Sequence, residues 1–213
     1  MLYFVLGGGK GGGNASAIPN IDSSVAASDL AKRVTLTPAD WGPEFTQDSP
    51  YESSELSGNT VDQNCNYVSQ TLDNALATLR RNVKKPDGAV IAVSIFTAYQ
   101  TTGSAQSIIS RHRDELQRCT AETQGKVRFD DVHAAAIPEI KGFDEVVAEE
   151  GHQATDQNGQ KADISYTYLT GRKGKFVLEA ESDSAPGSQV QNRSDTVSAL
   201  QLMLRRLENG GSK

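Results

Sequence analysis

The sequence predicts an α+β fold: a single antiparallel sheet of about six strands with two helices packed on one face. Three observations predict it. Runs rich in β-branched and aromatic residues are joined by short turns bearing glycine or proline, which makes neighbouring strands antiparallel. Two segments carry apolar residues at helical spacing, each with one face to bury. The order reads β-β-α-β-β-β-β-α without an internal repeat, so one sheet with both helices on the same side is the economical packing.

The chain opens with LYFVLGGGKGGG at residues 2–13, an apolar run breaking into six glycines around Lys10. A phosphate loop would need Ser or Thr after the lysine and a helix opening behind it. Gly11 follows Lys10, and Pro19 falls where the first helical turns would run, at a cost of about 3 kcal/mol inside a helix. The tract therefore reads as a Gly/Ser-type linker. MLYFVL at 1–6 resembles the last turns of a membrane helix, with Tyr3 and Phe4 suited to the membrane interface. The expected organisation is an anchor end and Gly-rich linker over 1–28, a domain over 29–208 and a tail over 209–213. An edge strand or frayed tail is the plainer reading of the start.

Thr37-Pro38-Ala39-Asp40 places a cap residue, a first-turn proline and a first-turn acid in sequence, which predicts a short helical turn ending at Gly42-Pro43 and packed onto the domain by Trp41. Residues 46–64 read as loop. Residues 66–83 fit a helix in their first half, but Ala77, Leu79, Arg81 and Val83 alternate as in a strand. Lys84 to Gly88 is a turn, and AVIAVSIFTAYQ follows, so a hairpin of 75–83 with 89–99 is predicted. Ser104 then opens a helix with Ala105, Ile108, Ile109, His112, Leu116 and Cys119 at its spacing. KVRFDDVHA, GFDEVVAEEGHQ, ADISYTYLT and KFVLEAESD read as strands. The last two flank Gly171-Arg172-Lys173-Gly174 and form a hairpin. Ser194 opens the final helix, whose stripe is Val197, Leu200, Leu204 and Leu207, stopped by Asn209-Gly210.

Length suffices for one domain with a sizeable core. The formal charge of -6 is interspersed, with no basic stripe, which argues against a nucleic-acid partner. Cys65 and Cys119 are the only cysteines. They are either two buried thiols or one disulfide, and a disulfide needs an oxidising compartment. Cys119 faces the core near its helix end, an anchor for Cys65 just before the first strand.

Catalytic patterns are sparse. No G-x-S-x-G elbow is present, and His112, His133 and His152 lack paired metal-ligand spacing, so neither cofactor nor metal is expected. His112 reads as a packed or rim residue. Asp130-Asp131 and Glu149-Glu150 read as solvated surface charge, because adjacent strand residues point to opposite faces. Trp41, Tyr67 and Tyr99 flank the cysteine-bearing part of the sheet and are the candidate ligand-binding residues.

The element order, with LTPADWGP, then a cysteine before the first strand, then SIFTAYQ leading into a helix ending DELQRC, resembles the PknH-like extracellular sensor domains of actinobacteria. The resemblance covers roughly residues 29–208. It implies an antiparallel sheet with two helices, a Cys65–Cys119 disulfide and a cleft proposed to bind a ligand. Such domains commonly carry a second cysteine pair, which this chain lacks, and they offer no catalytic residues to transfer.

The expected function is thus that of a non-enzymatic, extracytoplasmic domain, monomeric and tethered to the membrane through an N-terminal anchor. Its partner would be a small ligand or a cell-envelope component. Two other readings compete. A secreted hydrolase would require a nucleophile, a histidine and an acid converging in one cleft. A cytosolic structural domain would keep two free thiols.

Overall fold

The computed structural model describes residues 18–210, apart from 87, 158 and 159. The apolar start and the glycine tract lie outside the described residues. The chain runs α1 (Ser24–Val34), α2 (Pro38–Trp41), β1 (Thr46–Ser53), β2 (Ser57–Val61), β3 (Tyr67–Thr71), β4 (Ala75–Lys84) and β5 (Val90–Tyr99). It continues through α3 (Thr102–Arg118), β6 (Ala121–Gln124), β7 (Val127–Ala134), β8 (Glu145–Gln157), β9 (Gln160–Lys173), β10 (Phe176–Ser184) and α4 (Gln189–Glu208).

Among the described residues, eight strands form one antiparallel sheet in the order β1-β4-β5-β10-β9-β8-β7-β6, and β2 and β3 pair separately as a hairpin. The class is the α+β expected, but the sheet has eight strands where about six were predicted, and there are four helices where two were. The missed strands lack alternation for physical reasons. β1 is a polar edge strand, and Pro50 lies in the irregular stretch between Gln47 and Glu52 of its ladder, where proline is tolerated. β6 is four residues long. The hairpin strands are largely exposed, so neither needs an apolar face.

The helices do not share a face. Phe176, Leu178 and Ala180 of β10 join Phe96 and Ala98 of β5 in a core closed by α1 and α4. Val177, between Phe176 and Leu178, instead packs with Tyr99 of β5 and Ala105 of α3. Successive strand residues point to opposite faces, so α3 lies across the sheet from α1 and α4. The prediction of both helices on one side fails because β10 is mainly apolar on the first face and mainly acidic on the second.

Helix α1 occupies part of the stretch read as linker. Ser23 caps it, its hydroxyl accepting from the Ala26 amide, and Ala27, Leu30, Ala31 and Val34 recur at helical spacing and are buried. Arg81 of β4 closes the other end, donating to the carbonyls of Thr35 at 2.6 Å and Lys32 at 3.3 Å, where the helix dipole favours a cation. The predicted turn at 37–40 is α2. Its Asp40 accepts from the amide and hydroxyl of Thr37 and pairs with Arg206 of α4. Each large apolar side chain buried here, such as Leu30, Phe96, Leu178 or Leu200, contributes about 1.5–3 kcal/mol.

The β9–β10 hairpin turns at Gly174 and Lys175, since Lys173 pairs with Phe176. Gly171 is therefore a strand residue, not a turn residue. It is glycine because the Phe143 ring lies on it, and an added Cβ would stand 2.6 Å from that ring. α4 begins at Gln189, more than a turn before Ser194. Asn192 in that extra turn is buried, donating to the Ser165 carbonyl and accepting from Ser184.

Candidate functional site

The face carrying α3 is only partly covered by it. The β2–β3 hairpin arches over the rest, and the space between α3, the hairpin and the sheet is a cavity of about 450 Å³. Its roof is fastened at one end. Glu115 of α3 accepts from the Val61 amide at 3.1 Å and the Thr60 hydroxyl at 2.5 Å. Arg118 donates to the carbonyls of Val61 and Asp62. Cys65 follows β2, where its φ of 61° allows a tight turn, and it is disulfide-bonded to Cys119, the C-cap residue of α3. The Cys65 carbonyl then accepts from the Thr123 amide of β6, fixing the hairpin to the sheet edge.

The floor follows from strand alternation. In β10, Val177, Glu179 and Glu181 face the cavity, and in β9 Tyr166, Tyr168 and Thr170 do. The Tyr168 hydroxyl donates to Glu179 at 2.6 Å. The Tyr166 hydroxyl donates to Glu149 of β8 at 2.7 Å. Glu149 also meets Nε2 of His112 at 2.8 Å, and Nδ1 of that ring meets the Thr170 hydroxyl at 3.1 Å. An aromatic run of Tyr67, Phe129 and Tyr166 closes the β6–β7 side, with centroid separations of 5.1 and 5.7 Å.

Electrostatically this is an acidic chamber. Burial and the neighbouring Glu149 charge push Glu122 of β6 up to about 7. Burial likewise raises Glu179 and Glu181. Asp183, next along the same face, is raised by burial and by the charge of Glu181. Burial opposes the charge on His112, but its hydrogen bond to Glu149 and the charges of Glu149, Glu179 and Glu115 outweigh it and raise the ring above its usual value. The tyrosines Tyr67, Tyr99, Tyr166 and Tyr168 are raised chiefly by burial and stay neutral.

Of the three residues proposed from sequence, Tyr67 and Tyr99 line the cavity. Trp41 does not: it packs against the core on the opposite face and stacks near Phe45 at 6.2 Å. Its place follows from α2, which the α1 face of the sheet holds. The glutamates of the chamber were missed. Glu149-Glu150 reads as surface charge only if one face of β8 meets water. Both faces are covered, so Glu149 is buried against His112, and Glu150 is buried against Arg193 of α4, which donates to it at 2.8 Å. The alternation of acids in LEAESD, at 179, 181 and 183, was the available signal.

Thr170, His112 and Glu149 form the hydroxyl, imidazole and carboxylate series that a hydrolase would require. The chemistry does not follow from the geometry. Glu149 favours the imidazolium, which has no lone pair to accept the hydroxyl proton. Thr170 is 1% exposed in mid-strand, flanked by ladder partners on both sides. The strand offers no pair of free amides for an oxyanion. Among the described residues no cluster of His, Cys, Asp or Glu could hold a metal ion.

The fold is similar to the extracellular domain of PknH from Mycobacterium tuberculosis, with a TM-score of 0.57 and 11% identity over 86% of this chain and 97% of that one. Two others are more distant. An Rv0999 ortholog from Mycobacterium smegmatis matches with a TM-score of 0.42 and 9% identity, over 86% of this chain and 98% of the other. LpqN of Mycobacterium tuberculosis, involved in cell envelope biogenesis, matches with a TM-score of 0.28 and 11% identity, over 74% and 87%. The sequence matches no family model and no curated protein. No helix among the described residues is long and apolar enough to cross a membrane.

Proposed function

We propose that this chain is a non-enzymatic, extracytoplasmic sensor-type domain that binds a small ligand in the cavity beneath the β2–β3 hairpin. The observation that carries the reading is the cavity itself. It sits on the sheet face that the main core does not use, and it is lined by buried carboxylates and tyrosines that a packing role would not select. The disulfide supports an oxidising compartment, since such bonds are rare in the cytosol. The likeness to the PknH extracellular domain supports the same placement. The residues ahead of Ile18 supply the tether in this reading, and Tyr67 and Tyr99 contact the ligand.

The test is a fragment screen by two-dimensional NMR on the full, oxidised chain. Fragments that shift the amides of Tyr67, Tyr99 and Tyr168 together uphold ligand binding. Shifts confined to α1 and β1, with the cavity silent, refute it. Hydrolysis of p-nitrophenyl acetate above background, abolished in Thr170→Val, would replace the sensor reading with the hydrolase one.

A further inference from the structure

We propose that the cavity recognises an organic cation: a molecule bearing an ammonium group, held between the carboxylates of the β10 floor and β6 wall and the faces of the tyrosine rings. This rests on the ligand-binding reading above and names the ligand's chemistry.

The chamber's charge is unbalanced. Six glutamates line it, at 55, 115, 122, 149, 179 and 181, against the guanidiniums of Arg80 and Arg111 and the single ring of His112. Several of these charges are already engaged. Glu115 is held by the hairpin and lies 3.8 Å from Arg111, Glu149 is held by His112 and Tyr166, and Glu179 by Tyr168, while Arg80 and Arg111 keep their charge and bond to the neutral amides of Asn82 and Gln70. Glu122 is different. It is 3% exposed, takes a hydrogen bond from Tyr67, and yet its Oε2 has no partner. A buried carboxylate oxygen left without a donor is costly, and a ligand N–H would satisfy it.

The size and spread of the acids choose between kinds of cation. No three of the described carboxylates and imidazoles converge closely enough to chelate a metal ion. The volume of about 450 Å³ suits a molecule of several heavy atoms, within the range of small-ligand pockets. Four tyrosines, at 67, 99, 166 and 168, line it, and tyrosine rings attract ammonium groups. Their neutrality leaves the ring electrons available without adding charge.

The probes are spermidine, choline and glucosamine, which separate a polyamine, a quaternary ammonium and an amino sugar as the source of the charge. N-acetylglucosamine is the neutral counterpart of glucosamine, and glutarate is the anionic control. Each is titrated into the full, oxidised chain and followed by amide shifts of the cavity residues. At least one ammonium probe is expected to bind there, weakening as salt is added. Its affinity at about pH 8 should fall about tenfold or more in the Glu122→Gln/Glu181→Gln double variant, which exchanges two carboxyls for neutral amides of similar volume. The salt dependence of the unaltered chain gives an independent reading should that variant fold poorly. Binding of N-acetylglucosamine or glutarate in the cavity without any ammonium probe overturns the cation assignment and leaves ligand binding standing. Ammonium binding that ignores both substitutions and salt overturns it as well. A cavity silent to every probe, and silent in the fragment screen above, overturns both.

Discussion

The ring of His112 on α3 stands 2.8 Å from the carboxylate of Glu149 on β8, and the two residues are 8% and 5% exposed. The pair joins α3, which flanks the cavity, to β8 of the sheet. Removing one partner of a buried pair leaves the other charge uncompensated, so His112→Ala is expected to cost about 3 kcal/mol near neutral pH. The cost is pH-dependent. The folded ring binds its proton more tightly than the unfolded ring, so the stabilisation is complete below the unfolded value, near 6.5, and is lost as pH rises through the folded value. Urea unfolding of both proteins at about pH 6 and about pH 9 checks this: the gap should narrow at the higher pH.

Glu122 carries the opposite kind of test. Its carboxyl is raised from 4.5 to about 7, so the fold prefers it protonated, and stability falls as pH climbs across that interval. Glu122→Gln should therefore stabilise the chain at about pH 8, by roughly 1–2 kcal/mol once solvent screening near the cavity is allowed for. At about pH 4 the substitution should be close to neutral. Thermal melts of the two proteins at both pH values measure it, and equal melting shifts at the two pH values would contradict the assignment.

Gly151 of β8 pairs directly with Tyr166 of β9, and the tyrosine ring lies across it. An added Cβ would stand 2.9 Å from the ring and its hydroxyl, and 3.0 Å from the Asp130 carbonyl. Gly151→Ala is expected to push Tyr166 from its bond to Glu149 and to destabilise by about 1–3 kcal/mol. Denaturant unfolding gives the loss. A crystal structure of the variant should show the ring displaced towards the cavity and the cavity narrowed.

The Cys65–Cys119 disulfide spans 54 residues of sequence and ties the hairpin to the end of α3. Replacing both cysteines with serine should lower stability by about 2–4 kcal/mol. The loss should be uneven. Hydrogen exchange is expected to accelerate most in β2, β3 and the last turn of α3, with β5 and β10 protected until global unfolding. Uniform acceleration across the sheet would mean that the disulfide supports the main core rather than the roof.

The sequence showed what alternation and caps can show. The 75–83 and 89–99 strands, the β9–β10 pair and the helix from Ala105 to Cys119 were legible because their apolar period is clean. The α2 turn was legible from Thr37, Pro38 and Asp40. Helix α1 was overlooked although Ala27, Leu30, Ala31 and Val34 keep helical spacing, because small alanines among Gly and Ser resemble linker composition. The side on which α3 packs could not be read, since nothing local says which face of a strand meets which helix. The buried glutamates were hidden by the same gap: burial of Glu149 and Glu150 depends on α3 and α4, both distant in sequence. Tyr67 and Tyr99, singled out for their nearness to the cysteines, line the cavity, whereas Trp41, singled out in the same way, packs on the other face of the sheet.

Along β10 the residues alternate between two employers: Phe176, Leu178 and Ala180 belong to the core, while Val177, Glu179 and Glu181 belong to the cavity. The strand is in effect two interleaved sequences under separate constraints. A saturation scan of it should show tolerance rising and falling with a period of two when scored for folding, and the inverse rhythm when scored for binding. Under the ligand-binding proposal, a lineage could retune what its chamber accepts, one odd-numbered position at a time, on an unchanged scaffold.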